Sequence, residues 1–375
     1  MVIVRLDIRI PRRMLMRKTI LKTVSILMII LLLTGCNSGV LKGLKKEDDN
    51  YFVSQKTKYE HLVKLTSEKA RQTGFSGSMI IATDEDIIMF CGPKTKTVDG
   101  KDKDPYTTYE IGSITKTFTA ALTLKLIEQG KLSMDDKVTK FFPECTVAEN
   151  ITIADLLHMQ SGLPDYANSP SIRSYLGTMM EDDTMTDEIF LKCLNDHNLS
   201  FEPKTNTEYS NTNFHLLAMI IEQVEGESYD KVLKRVILDP CGMKHTSSMT
   251  TGDVTSIAGA VGYHPFQKGA GGAGDIHSCA ADMIAFDRAL FGGKLLSEES
   301  MALMKDFRGT FYGCGLMFID ENVYGHSGST PAYISQNMIF ETEEYGNVYF
   351  FASISLNDGM QGMGEVSEIL AKELT

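Results

Sequence analysis

The chain has 375 residues, 43% hydrophobic and 23% charged, which is ordinary globular composition with length for a large core or two merged subdomains. Its formal charge is −12, and removing residues 1–35 leaves 30 basic against 48 acidic side chains, a net −18, which argues against a nucleic-acid partner. Seven cysteines form no CxxC pair and no His/Cys cluster with metal-ligand spacing, and no P-loop or Gly-x-Gly-x-x-Gly is present, so neither zinc nor any other cofactor is expected.

At the N-terminus, Arg17, Lys18 and Lys22 precede a short apolar run, 24–33, and then Leu33-Thr34-Gly35-Cys36. This resembles a bacterial lipoprotein signal cleaved before a lipidated cysteine, so residues 1–35 are read as a signal peptide and Cys36 as the lipidation site. The alternative is an uncleaved anchor, but the run is about half of the ~20 residues a spanning helix needs. Residues 36–54, polar and rich in lysine and acid, read as a membrane-proximal tether, which leaves 55–375 as the folded domain.

Within that domain the pattern predicts a helix over 54–73 and a hairpin of 75–82 with 86–91 around Thr83-Asp84-Glu85. A β-branched, aromatic run at 106–111 passes through Gly112 into a helix over 113–129, stopped by Gly130. Thr152 and Asp155 make a variant capping box ahead of Leu156-Leu157. A further helix is expected from Asn211, with Phe214, Leu217, Ile220, Ile221 and Val224 near helical spacing, and another over 280–291. Strands follow at 313–319, 333–341 and 347–355, then a terminal helix at 366–374. Strand–helix–strand segregation argues α+β: an antiparallel sheet flanked by N- and C-terminal helices, with a large helical subdomain of about 116–258 inserted.

Ser113-Ile114-Thr115-Lys116 lies at the start of the 113–129 helix. There, free backbone N–H groups favour developing negative charge, and Lys116 shares a face with Ser113. An ammonium beside a serine hydroxyl lowers the cost of the alkoxide, or, as a neutral amine, takes its proton. Alone, the spacing recurs by chance, with an N-cap serine and a surface lysine as the bland reading. Two later motifs lift it above chance: Tyr209-Ser210-Asn211 and His326-Ser327-Gly328, the latter where an edge strand would line a cleft. Gly74-Phe75-Ser76-Gly77-Ser78 and Gly325-His326-Ser327-Gly328-Ser329 each lack the final glycine of a nucleophile elbow.

The order Ser-x-x-Lys, Tyr-x-Asn, basic-Ser-Gly resembles the serine β-lactamase and penicillin-binding-protein superfamily, and most closely the class C β-lactamase-related serine hydrolases. His158-Met159-Gln160-Ser161-Gly162-Leu163-Pro164-Asp165-Tyr166, Pro240-Cys241-Gly242-Met243 and Ala270-Gly271-Gly272-Ala273-Gly274 also match that family. The resemblance, from about residue 55 onward, implies Ser113 as acylated nucleophile, Lys116 as its assistant and Tyr209 as the proton-shuttling base. It implies Asn211, His326, Ser327, Gly328 and Ser329 as substrate-binding, with an oxyanion hole at the backbone N–H groups of Ser113 and Ser329. A phenol titrating near 10 needs a nearby cation to act as a base, a part Lys116 would fill. The implied activity is hydrolysis of D-amino-acid peptides, esters or β-lactam-like amides of the cell envelope, at the outer face of a bacterial membrane. A weak β-lactamase and a non-catalytic penicillin-binding sensor are the alternatives. His326 departs from the lysine usual in class C enzymes; imidazole titrates near 6.5, so a cation facing a substrate carboxylate is expected to appear only as His326 protonates.

Overall fold

The computed structural model describes residues 39–48, 50–92, 104–180, 185–248, 270–356 and 361–375. Residues 44–375 form one unit, and of residues 1–43 only the turns at 39–43 are described, so Cys36 and the apolar run before it lie outside the described residues.

Eight strands make an antiparallel sheet in the order β1-β2-β4-β3-β11-β10-β9-β8. These are β1 (Leu44–Lys46), β2 (Tyr51–Ser54), β3 (Ser78–Thr83), β4 (Ile87–Cys91), β8 (Met317–Asp320), β9 (Val323–Ser329), β10 (Tyr333–Thr342) and β11 (Gly346–Ser355). Strands β5 (Thr108–Glu110), β6 (Ser247–Ser248) and β7 (Ile276–Cys279) form a second small sheet. Helix α1 (Glu60–Gln72) and the C-terminal helix α10 (Met363–Leu374) cover one face of the large sheet, burying Leu62, Ala70, Val366 and Leu370 against Met79, Ile81, Phe350 and Ala352. Each of the larger ones, such as Leu62, Ile81, Val366 and Leu370, contributes about 1.5–3 kcal/mol when removed from water. Helix α8 (Ala280–Phe291) packs on the opposite face, and so β3 is buried at every position rather than at alternate ones.

Between β5 and β6 the described chain is mostly helical, with α2 (Thr115–Glu128), α3 (Ile153–Leu157), α4 (Pro170–Met179), α5 (Asp187–Asn195), α6 (Asn211–Glu225) and α7 (Tyr229–Leu233) as its main helices. After α8 comes α9 (Glu298–Met304). The expected α+β architecture is thus present: antiparallel sheet, covering terminal helices and helical insertion. The capping box at Thr152 and Asp155 forms, with the Asp155 carboxylate accepting from the Thr152 backbone N–H at 2.9 Å.

Three segments differ from the sequence reading. Residues 44–54, read as the end of a tether, supply the outermost strands β1 and β2. Tyr51 and Val53 enter the core, and Arg71, 4.1 Å over the Tyr51 ring, pairs with Glu47 and Asp48 at 3.0 and 3.2 Å. Charge on an edge strand blocks further pairing, which is why its composition imitates a tether. Second, 313–316 is a turn rather than strand: Gly315 has φ +70°, and its carbonyl accepts from Thr117 Oγ1 at 2.8 Å, bracing α2 instead of the sheet. Third, β9 is a full strand that its glycines hide. A Cβ on Gly325 would lie 2.0 Å from the Asn337 carbonyl oxygen, so the residue that weakens strand propensity is the one the packing requires.

Candidate active site

Helix α2 runs through the interior, buried continuously from Thr115 to Leu124, so Lys116 is carried into a place without water. Its ammonium has three donors and meets three acceptors: Ser113 Oγ at 3.0 Å, Asn211 Oδ1 at 2.7 Å and the Ala273 carbonyl at 2.6 Å. Burial lowers its pKa from 10.5 to about 7, against the opposing pull of the nearby Asp165 charge. Near neutral pH a large fraction is therefore free amine, with its lone pair available to the Ser113 hydroxyl while Asn211 and Ala273 hold the other two positions.

Each partner is delivered by a distinct element. Ser113 sits in a 3-10 turn, Gly112–Ile114, between β5 and α2, and remains part-exposed. Asn211 opens α6, and Ala273 ends the Gly-rich turn Gly271–Ala273, where a Cβ on Gly272 would come 2.7 Å from Thr119 Oγ1. That close approach lets Thr119 Oγ1 donate to the Gly272 carbonyl at 2.6 Å, fixing the turn on α2. Strand β8 pairs with β9 from Val323 to Gly325, so among the described residues no strand lies on the outer side of 326–329. The Gly112–Ser113 turn lies there instead: a Cβ on Gly328 would fall 1.8 Å from the Ile111 carbonyl oxygen and 3.1 Å from Ser113 N, and one on Gly112 2.8 Å from Ser329 N. The two glycines thus bring the backbone amides of Ser113 and Ser329 to neighbouring positions.

Tyr209 lies beside this group, half-buried, its ring 4.9 Å from Lys116 Nζ and its hydroxyl hydrogen-bonded with Ser113. Burial raises its phenol well above the ordinary value, against the Ser113 hydrogen bond, which pulls the other way. In the resting site desolvation thus outweighs the nearby cation, and the Tyr209 phenol carries its proton at neutral pH.

His326 requires correction. Along the end of β9, exposed Ser327 and Ser329 alternate with buried His326 and Gly328, and the His326 ring lies on the side that meets the Ser113 turn, 6.1 Å from the Tyr209 ring. The Ser327 carbonyl can only accept, which puts the imidazole proton on Nδ1, 2.6 Å away, and Nε2 accepts from the Tyr312 hydroxyl at 3.0 Å. Burial, with the Lys116 charge acting in the same direction, lowers its pKa from 6.5 to about 3. The third motif presents no titrating cation in the neutral range.

Ser113, Lys116, Tyr209, Asn211, Gly328 and Ser329 thus come together, with His326 buried beside Tyr209 and Ser327 exposed at the end of β9. Three contributors have no sequence signal of their own: the Ala273 carbonyl, Tyr312 and Asp165, which accepts from Asn211 Nδ2 at 3.1 and 3.0 Å. Asp165 stands inside one of the family-like segments, but nothing local ties it to Asn211. His158 and His215, read as structural, are buried and held neutral, each with its pKa lowered to about 4 by desolvation. The six described cysteines form no disulfide, and among the described residues no cluster of His, Cys, Asp and Glu is suited to a metal.

Comparison with known proteins agrees with this geometry. Residues 68–360 match the Beta-lactamase family model, and the chain belongs to that family. It is 29% identical over 306 residues to the penicillin-binding protein homologue PbpX of Bacillus subtilis, spanning 78% of this chain and 74% of that one. D-amino acid amidase from Ochrobactrum anthropi SV3 superposes with a TM-score of 0.63 at 25% identity, over 79% of this chain and 92% of the amidase. A penicillin binding protein from Bacillus halodurans shares the fold, with a TM-score of 0.65 at 21% identity over 81% of this chain and 98% of that one. The protein is a serine hydrolase of the β-lactamase and penicillin-binding-protein fold.

Proposed function

We propose that the protein forms an acyl-enzyme on Ser113 and hydrolyses D-aminoacyl amides, peptides or esters. The observation that carries this reading is the buried Lys116 amine, 3.0 Å from Ser113 Oγ and close to half-deprotonated at neutral pH. As Ser113 Oγ attacks the carbonyl carbon, its proton passes to Lys116 Nζ, and negative charge grows on the carbonyl oxygen beside the amides of Ser113 and Ser329. When the bond to the leaving group breaks, the Tyr209 phenol donates a proton to the departing nitrogen or oxygen, and the proton held by Lys116 replaces it. A water molecule then attacks the acyl carbon, gives a proton through the same groups and regenerates the Ser113 hydroxyl. With His326 held uncharged, the third motif offers no cation, which favours neutral amides and esters over β-lactams with an obligatory carboxylate.

The test is intact-protein mass spectrometry during turnover of D-phenylalanine amide, its L-enantiomer, p-nitrophenyl acetate and a penicillin. Acylation confined to Ser113, release of product from the D-amide or ester, and none in Ser113→Ala is the expected result. Near-wild-type turnover by Ser113→Ala would overturn the mechanism, while a permanent penicilloyl adduct with no turnover of amide or ester would favour the penicillin-binding sensor. Attachment to a membrane through a lipidated Cys36, at the outer face of a bacterial cell, belongs to the same proposal and rests on Leu33-Thr34-Gly35-Cys36.

A further inference from the structure

We propose that Asp165 is a positioning residue of this site: its carboxylate fixes which way the Asn211 amide points and places one negative charge behind the Ser113–Lys116 pair. The proposal deepens the serine-hydrolase reading and rests on it. A primary amide presents an oxygen and a nitrogen of nearly the same shape, and exchanging them reverses every hydrogen bond it makes. Asn211 must give its oxygen to Lys116 Nζ, 2.7 Å away; a flipped amide would turn donors toward a donor. The Asp165 carboxylate can only accept, and both of its oxygens take Asn211 Nδ2, at 3.1 and 3.0 Å.

The carboxylate is itself held still by Ala167 N at 2.9 Å, Asn168 N at 3.2 Å and Asn168 Nδ2 at 2.8 Å. Neutral groups fasten the same turn to the start of α6. Thr212 Oγ1 donates to the Pro164 carbonyl at 2.6 Å and accepts from Tyr166 N at 3.2 Å, and Ser161 Oγ donates to Asn213 Oδ1 at 2.5 Å. Holding the turn in place is therefore shared among several residues, whereas among these contacts Asp165 makes the one to the amide that touches Lys116.

The groups facing Lys116 come from every element around it: Ser113, Tyr209, Asn211 and Phe214, the Ala273 carbonyl, His326 and Asp165. Burial keeps Tyr209 and His326 uncharged, so the counter-charge that opposes desolvation of the amine is that of Asp165. Without it the amine binds its proton more weakly, and an amide free to flip is misaligned for part of the time.

The experiment uses the full chain carrying [ε-13C]lysine, with Asp165→Asn compared to wild type and to Thr212→Val, which removes the Thr212 fastenings and keeps the charge. Lys116 is titrated by NMR, and the pH profile of kcat and KM for p-nitrophenyl acetate is measured alongside. In wild type both the resonance and the acid limb should have midpoints near 7. Asp165→Asn should move both down by about one pH unit or more, the usual effect of losing an opposite charge nearby, and should lower kcat more than KM. Thr212→Val should leave both midpoints in place. An unmoved midpoint in Asp165→Asn, or an equal shift in Thr212→Val, would overturn the role of the carboxylate. A wild type that titrates as expected but never acylates would instead sink the hydrolase reading, because the NMR titration does not depend on turnover.

Discussion

Replacing His326 by glutamine tests the central correction made to the sequence reading. The imidazole is 2% exposed, with both nitrogens bonded inside the protein. Lowering its pKa from 6.5 to about 3 means that charging it in place costs about 5 kcal/mol, at about 1.4 kcal/mol per unit. The unfolded chain takes up this proton below pH 6.5, whereas the folded chain refuses it until about 3. Stability from this group is therefore complete above pH 6.5 and is lost as pH falls through that window. In His326→Gln nothing titrates at this position, while His158 and His215, also held neutral by burial, behave alike in both proteins and cancel in the difference. Urea denaturation from pH 7 to 4.5 should thus show wild type losing about 3 kcal/mol more than the variant. In parallel, imidazole 1H–15N spectra should show His326 as the Nδ1–H tautomer throughout. Parallel stability curves, or a His326 midpoint near 6.5, would refute the reasoning and restore an imidazole that charges at the substrate. By the same logic His326→Lys, which puts a second amine near Lys116 in a dry site, should lower stability without accelerating penicillin acylation.

Gly328→Ala places a methyl 1.8 Å from the Ile111 carbonyl oxygen, so β9 must retreat from Ser113 and the paired amides separate. The acylation rate should drop by roughly 10²–10³, as for losing one oxyanion donor, and a variant that acylates at the wild-type rate would show that this contact does not build the hole. Asp287, buried with Asn337 Nδ2 2.9 Å from its Oδ1, has its pKa raised from 3.8 to about 7 by desolvation. The stability it contributes is complete below pH 3.8 and lost as pH rises to about 7, so Asp287→Asn should gain on wild type by up to about 4 kcal/mol between pH 4 and 8, measured by urea denaturation. Cys36→Ser should leave the precursor uncleaved and unlipidated; normal processing and detergent-phase partitioning of that variant would remove the lipid anchor from the proposal.

What could be read in advance followed the range over which the physics acts. Ser113 and Lys116 are three residues apart across the turn that opens α2, and Tyr209 and Asn211 straddle the start of α6, so local geometry placed each pair without any knowledge of the fold. The apolar, β-rich runs of β10 and β11 and the helices α8 and α10 were legible for the same reason. Asp165 meets Asn211 across 46 residues, and Lys116 meets the Ala273 carbonyl across 157, contacts that no periodicity encodes. The misreading of His326 has the same root. Residue type supplies an intrinsic pKa of 6.5, but the charge state follows from burial and the Tyr312 hydroxyl, both tertiary. Strand β9 makes the point most directly. Gly325 and Gly328 strip it of strand propensity, yet they are what allow Asn337 on one side and Ile111 with Ser113 on the other to approach so closely. A segment whose work is to bring two backbones together must give up the side chains by which a strand is recognised, so β9 was legible as the motif His326-Ser327-Gly328 and not as a seven-residue strand.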